Sequence, residues 1–172
     1  MIDGRNTLAT IVQSSAVSLF QVYAIAVAPI IASRTLPSNL DLQLSSTVSF
    51  SSPVLSGNLC LFLPPDLAAM AKWPGQKALD PKDWTRELCN QLLGRIKNRL
   101  HGCDIDLRTG LPMSVTGTLL DRHRSGKSPE VVFGFRTLRG EVIVTIAGAI
   151  DFARIHYTGK NVSAQEGDVI IF

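Results

Sequence analysis

Glu87 and Asn90 stand three residues apart in the run Asp83-Trp84-Thr85-Arg86-Glu87-Leu88-Cys89-Asn90-Gln91-Leu92-Leu93-Gly94. An α-helix turns by roughly 100° per residue, so positions three and four apart share a face. An anion and a carboxamide are therefore placed side by side. The carboxamide can accept and donate hydrogen bonds at once, but it cannot serve as a general base. The carboxylate can hold a cation. Glu-x-x-Asn by itself has little specificity, since many surface helices contain it.

The element that must position the pair is a helix over 80–100. Its apolar residues are Trp84, Leu88, Cys89, Leu92, Leu93, Ile96 and Leu100. Their spacing makes one continuous stripe, as in a helix packed on one side. Glu87, Asn90, Gly94 and Asn98 fall on the opposite side. Arg95 lies at the edge of the stripe and Arg99 within it, where long stems can cover apolar surface while the charge reaches water. Asp80 is a good N-cap, and Pro81 suits the first helical position. Asp80 and Asp83 favour the positive end of the helix dipole. The helix is expected to stop at His101-Gly102, with Gly102 left-handed.

Gly94 is the anomaly in this helix. A mid-helix glycine costs about 1 kcal/mol relative to alanine. Either something approaches the helix closely there, or the glycine is tolerated or packs against a neighbouring loop.

Glu87, Asn90 and Gly94 are followed by Ile105-Asp106-Leu107-Arg108-Thr109-Gly110-Leu111-Pro112-Met113-Ser114-Val115-Thr116-Gly117. Together these residues resemble the CheC/CheX/FliY family of chemotaxis phosphatases, CheX most closely. That family carries a helix reading Glu-x-x-Asn-x-x-x-Gly, then a short strand segment with Leu-Pro or Pro-Pro, then a hydrophobic-Ser/Thr-Gly end. The match in order and spacing covers roughly residues 79–118. The family usually has Gly just before the Glu and often Ala before the helix Gly; Arg86 and Leu93 stand there in this chain.

The resemblance implies a substrate: a CheY-like response-regulator receiver phosphorylated on an aspartate. It implies that Asn90 orients the attacking water and that Glu87 ion-pairs with the receiver's lysine. Gly94 would leave clearance for the receiver, and Gln91 and Asn98 would line the same docking surface. Mg²⁺ would come from the receiver, so no cofactor or metal of the chain's own is implied. CheX pairs edge strands across a homodimer, so the resemblance also implies a dimer. CheC carries two Glu-x-x-Asn helices, whereas the first helix of this chain has no glutamate, which fits CheX.

Composition sets bounds on other functions. The 172 residues suffice for one domain with a real core. The charged fraction is 18% and the net charge +3, with Lys and Arg scattered apart from the run Asp121–Lys127. That run has turn composition and no interleaved aromatics, so it reads as a solvated loop and not a nucleic-acid surface. No phosphate-binding glycine loop is present. Cys60, Cys89 and Cys103 are odd in number and lack a Cys-x-x-Cys spacing, which points to buried free thiols and a reducing cytoplasm. His101, His123 and His156 are not spaced for metal. Residues 8–32 are long and apolar enough to raise a membrane span. Gln13, Ser14, Ser15, Ser18, Gln21 and Pro29 argue against it, and Leu8, Ile11, Val12, Val17, Leu19 and Phe20 look like the packed face of a helix.

Along the chain, a helix is expected over 5–21 and a buried strand over 22–33. Leu40, Leu42, Leu44, Val48 and Phe50 alternate with Asp41, Gln43, Ser45, Thr47 and Ser49, which predicts a strand with one exposed face. A second strand follows over 54–63, then a short helix to Met70 and the long helix. Further strands are expected over 104–117, 130–137 and 141–149, the last two joined by a tight turn at 138–141. Residues 168–172 could dock as a short strand. The order predicts one α+β domain over 1–172, a largely antiparallel sheet with two long helices packed on it in the CheC-like manner. Its core would span about 5–152, leaving 153–172 as a tail. Hydrolysis of an aspartyl phosphate is the favoured reading, with a non-catalytic receiver-binding or assembly module on the same fold as the alternative.

Overall fold

The computed structural model describes residues 3–30, 43–69, 80–114 and 130–158. Asp3 caps helix α1 (Gly4–Val22) by accepting from the Arg5 N–H at 3.0 Å. Leu8, Ile11, Val12, Ala16, Leu19 and Phe20 form its buried face, and Val17 is only half-buried. At the helix start a side chain on Gly4 would collide with the Phe152 carbonyl, so backbone meets backbone there.

The apolar run after α1 is not the buried strand expected over 22–33. The helix runs through Val22, the chain turns at left-handed Ala24, and of the described residues 22–30 only Ala28–Ile30 forms a strand, β1; residues 31–33 lie outside the described residues. Its residues are exposed or half-exposed, because β1 pairs with a single neighbour at the sheet edge. Pro29, which has no N–H to donate, suits an edge.

Strands β2 (Leu44–Ser51) and β3 (Leu55–Leu63) make an antiparallel pair. Val48 and Phe50 face the helices as the alternation predicts. Ser45 and Thr47, expected on an exposed face, are 7% and 8% exposed. The Thr47 hydroxyl donates to the Leu59 carbonyl, and beside it Cys60, Phe62, Val132 and Ile143 form a second apolar cluster. The sheet is thus covered on both faces there, and only Ser49 and Ser51 of β2 are exposed. Leu40, Asp41 and Leu42 lie outside the described residues.

Helix α2 (Pro65–Ala69) is short, and α3 (Pro81–Leu100) is the long helix. The end of α3 differs from expectation. His101–Cys103 tightens into a 3-10 turn, and the left-handed residue is Asp104, with φ 59°, in place of Gly102. Asp tolerates that conformation better than most side chains. Gly102 is buried, and its carbonyl accepts from the Thr158 N–H at 3.0 Å.

In place of one strand over 104–117, two short strands pair with the outer edge of β2: β4 (Arg108–Thr109) and β5 (Met113–Ser114). Gly110, Leu111 and Pro112 part them, and proline cannot sustain a ladder. Residues 115–129, including the run Asp121–Lys127, lie outside the described residues. Strands β6 (Glu130–Thr137) and β7 (Gly140–Ile150) form the expected hairpin, turning at Gly140 with φ 117°.

The seven described strands run in the order β1-β6-β7-β3-β2-β4, with β5 also on β2, and every pairing among them is antiparallel. Helix α3 packs on β2 and β3, and α1 packs along α3. Between them Leu59, Leu61, Leu63, Phe133, Phe135, Val142, Val144 and Ile146 supply the sheet's side of the core. The expected α+β architecture is therefore present. Ile155, beyond the core boundary drawn from sequence, is fully buried. The end segment 168–172 lies outside the described residues.

Candidate functional site

The site is carried by α3, and the caps read from sequence hold its start. Asp80 accepts from the Lys82 N–H at 2.7 Å, and Pro81 opens the helix. The apolar stripe is buried in full: Trp84, Leu88, Cys89, Leu92, Leu93, Ile96 and Leu100 all lie in the core. The Cys89 thiol donates to the Ser46 carbonyl at 3.5 Å, which ties the helix to β2. Burial, more than any other cause, pushes that thiol up to about 12, so it stays protonated and inert as a nucleophile. Cys60 and Cys103 are likewise buried and outside any disulfide, and the Cys60 thiol donates to Thr47 Oγ1 at 3.2 Å.

The opposite side of α3 is open. Glu87, Asn90 and Asn98 are exposed, and Gln91 and Gly94 are half-buried. Glu87 and Asn90 are about 4.5 Å apart along the axis, and Asn98 lies about 12 Å beyond Asn90 at the far end of the same face. A Cβ built on Gly94 would meet no described atom within 4 Å. Packing against a described loop is thus not the reason for that glycine. Among the described residues nothing fills the space beside Gly94, and Asn90 is exposed one turn before it.

Both departures from the family pattern have a structural account. Leu93 is 2% exposed and faces the core, so it does not touch the open side. Arg86 is exposed, and its guanidinium pairs with Asp83 on the preceding turn. Such exposed pairs are worth about 0–1 kcal/mol, so Arg86 is steered more than fixed.

Helix α1 flanks the site on one side. The Arg95 guanidinium donates to Ser18 Oγ at 2.9 Å, which draws that cation towards α1. The Tyr23 hydroxyl lies 3.1 Å from Gln91 Oε1, and Gln91 Nε2 donates to Glu87 Oε1 at 2.7 Å. The Tyr23 ring stands edge-on to Trp84, with centroids 5.7 Å apart and planes at 87°. Tyr23 was not a site residue by sequence. It sits in an apolar run 68 residues before Gln91, and nothing local marks it. Near the far end of α3, Lys97 reaches Asp106 at 3.6 Å. Strand β5 lies against α3, and the segment before and within it exposes Leu111 and Met113.

Among the described residues no group of three or more His, Cys, Asp or Glu side chains could hold a metal, and no helix is long and apolar enough to cross a membrane.

By sequence, no family model and no curated protein matches the chain. By structure it is similar to a CheC-like superfamily protein from Shewanella sp. PV-4, with TM-score 0.67 and 16% identity over 82% of this chain and 96% of that one. It is also similar to the chemotaxis protein CheX from Vibrio vulnificus, with TM-score 0.65 and 13% identity over 81% of this chain and 97% of that one. A third similar structure is CheX from Borrelia burgdorferi in complex with CheY, BeF3 and Mg²⁺, with TM-score 0.60 and 15% identity over 86% of this chain and 98% of that one. Likeness at this identity speaks for the fold, and the fold of this chain is that of the CheC-like and CheX proteins.

Proposed function

We propose that this protein hydrolyses the aspartyl phosphate of a CheY-like receiver domain docked on the open face of α3. The observation that carries this reading is the exposure of Glu87 and Asn90 beside an unfilled Gly94, on the fold of a protein solved bound to CheY. An acyl phosphate is intrinsically prone to hydrolysis. The receiver's own Mg²⁺ and lysine would balance charge on the phosphoryl and leaving oxygens. The task left to this chain is to hold a water in line with phosphorus, and positioning alone can lower a barrier by several kcal/mol.

Asn90 suits that task. Its carbonyl accepts from the water while its N–H₂ donates to a phosphoryl oxygen. The Glu87 carboxylate, one turn nearer the helix start, receives the receiver's lysine and sets the docking register. Gly94 gives the receiver surface its clearance, and Gln91 and Asn98 border the same footprint. The reaction needs no covalent intermediate on this chain. The protein would work in the cytoplasm, where receivers are phosphorylated, and as a homodimer joined through the edges of its sheet.

Phosphate release from a phosphorylated CheY receiver, with and without the protein, tests the reading. Acceleration by the wild type and its loss in Asn90→Ala are expected. Equal release by that variant would overturn the assignment. Docking without acceleration would favour a binding module on the same fold.

A further inference from the structure

We propose that Tyr23 and Gln91 form a positioning relay that holds the Glu87 carboxylate ready for a partner's cation. The proposal deepens the function proposed above and rests on it for the identity of the partner.

The direction of the relay follows from donor and acceptor chemistry. A carboxylate can only accept, so the Gln91 amide must turn its nitrogen to Glu87. Its oxygen then faces Tyr23, and the phenol must donate. The observed distances fit both bonds, at 2.7 Å and 3.1 Å. Burial first, and the negative charge of Glu87 in addition, raise the Tyr23 phenol above its ordinary range, so it remains a donor at neutral pH.

The anchor is firm at the far end. Tyr23 closes α1, with its N–H on the Phe20 carbonyl at 3.1 Å, and its ring is edge-on to Trp84, which is 2% exposed. An exposed glutamate on a helix otherwise explores many rotamers. An ordinary Gln–Glu pair one turn apart would leave both side chains free to swing together. Here the pair is tied to a second helix, so one carboxylate oxygen is held while the other is left for the partner. Pre-ordering of this kind strengthens binding by removing an entropy loss from the docking step.

The test uses the full chain and a CheY receiver activated with Mg²⁺ and beryllofluoride for binding, or phosphorylated for turnover. Tyr23→Phe should raise Kd and KM about 3- to 10-fold, as expected for re-ordering one long side chain, while kcat stays within about twofold. In a Glu87→Ala background Tyr23→Phe should have no further effect. Equal losses in both backgrounds, or unchanged KM in the parent background, would overturn the relay. If the wild type neither binds nor dephosphorylates the receiver, the functional reading fails, and the relay is judged by NMR. The Gln91 side-chain amide protons should exchange slowly in the wild type and quickly in Tyr23→Phe and Glu87→Ala. Identical exchange in all three proteins would sink the relay on its own terms.

Discussion

Gly94 gives a prediction with opposite signs for folding and for docking. The ideal Cβ position at Gly94 is clear of every described atom to 4 Å, so Gly94→Ala adds a methyl group in open space. The residue lies in the middle of α3 (Pro81–Leu100), where alanine is favoured over glycine by about 0.8–1 kcal/mol. In a chain of this length that should raise Tm by about 2–4 °C. Gly94→Leu should fold equally well but put a bulky side chain under the receiver. A docking loss of at least about tenfold, or 1.4 kcal/mol, is expected for leucine. Thermal unfolding and titration with a beryllofluoride-activated CheY receiver, run on the same protein batches, read the two quantities. A lower Tm for Gly94→Ala would mean that the helix face is not open. An unchanged Kd for Gly94→Leu would mean that no partner approaches there.

Asn90→Ala should cut phosphate release by about 10²–10³, the usual cost of one misplaced polar group at a reacting centre, while Tm holds or rises slightly; normal turnover would refute the water-holding role. Glu87→Ala should weaken receiver binding about tenfold, with the difference shrinking as salt is added, and equal affinity at all salt concentrations would exclude the ion pair. Cys89 should shape the alkaline limb of stability. Its folded pKa is raised, so the native state keeps the proton that the unfolded chain gives up, and stability present below the ordinary thiol range is lost as pH rises towards about 12. Urea unfolding at about pH 8 and about pH 10 should show a decline steeper in the wild type than in Cys89→Ala by at most about 1.4 kcal/mol per pH unit, since the raised Cys103 and Tyr23 groups remain in both. The same decline in both proteins would count against burial as its cause.

Helix α3 was legible because its signals are local. Asp80, Pro81 and the stripe from Trp84 to Leu100 lie within one segment, and the structure follows them residue by residue. The β6–β7 hairpin was legible for the same reason, with Gly140 at the turn. The run after α1 was misread because an apolar strand does not say how many neighbours it will have. β1 found only β6. Ser45 and Thr47 were placed outside because alternation reports chemistry and not cover; Thr47 satisfies its hydroxyl on the Leu59 carbonyl and can be buried. Gly102 was chosen for the left-handed turn by residue type, but the chain first tightens and turns at Asp104. In the site, Glu87, Asn90 and Gly94 could be placed on one face by spacing. The contact between Tyr23 and Gln91 could not, since it depends on how two helices cross.

Under the proposed function, helix α3 serves the core with one stripe and a receiver with the other. Its inner stripe is bound to the sheet through Leu88, Cys89 and Leu92, while Asn90 and Gly94 pack against none of the described core. Drift on the outer stripe would therefore go unpunished by folding, and at Gly94 it would even be rewarded. Under the proposed function, a lineage released from its receiver would lose Asn90 and Gly94 first and inherit an intact frame, ready to be recruited as a scaffold.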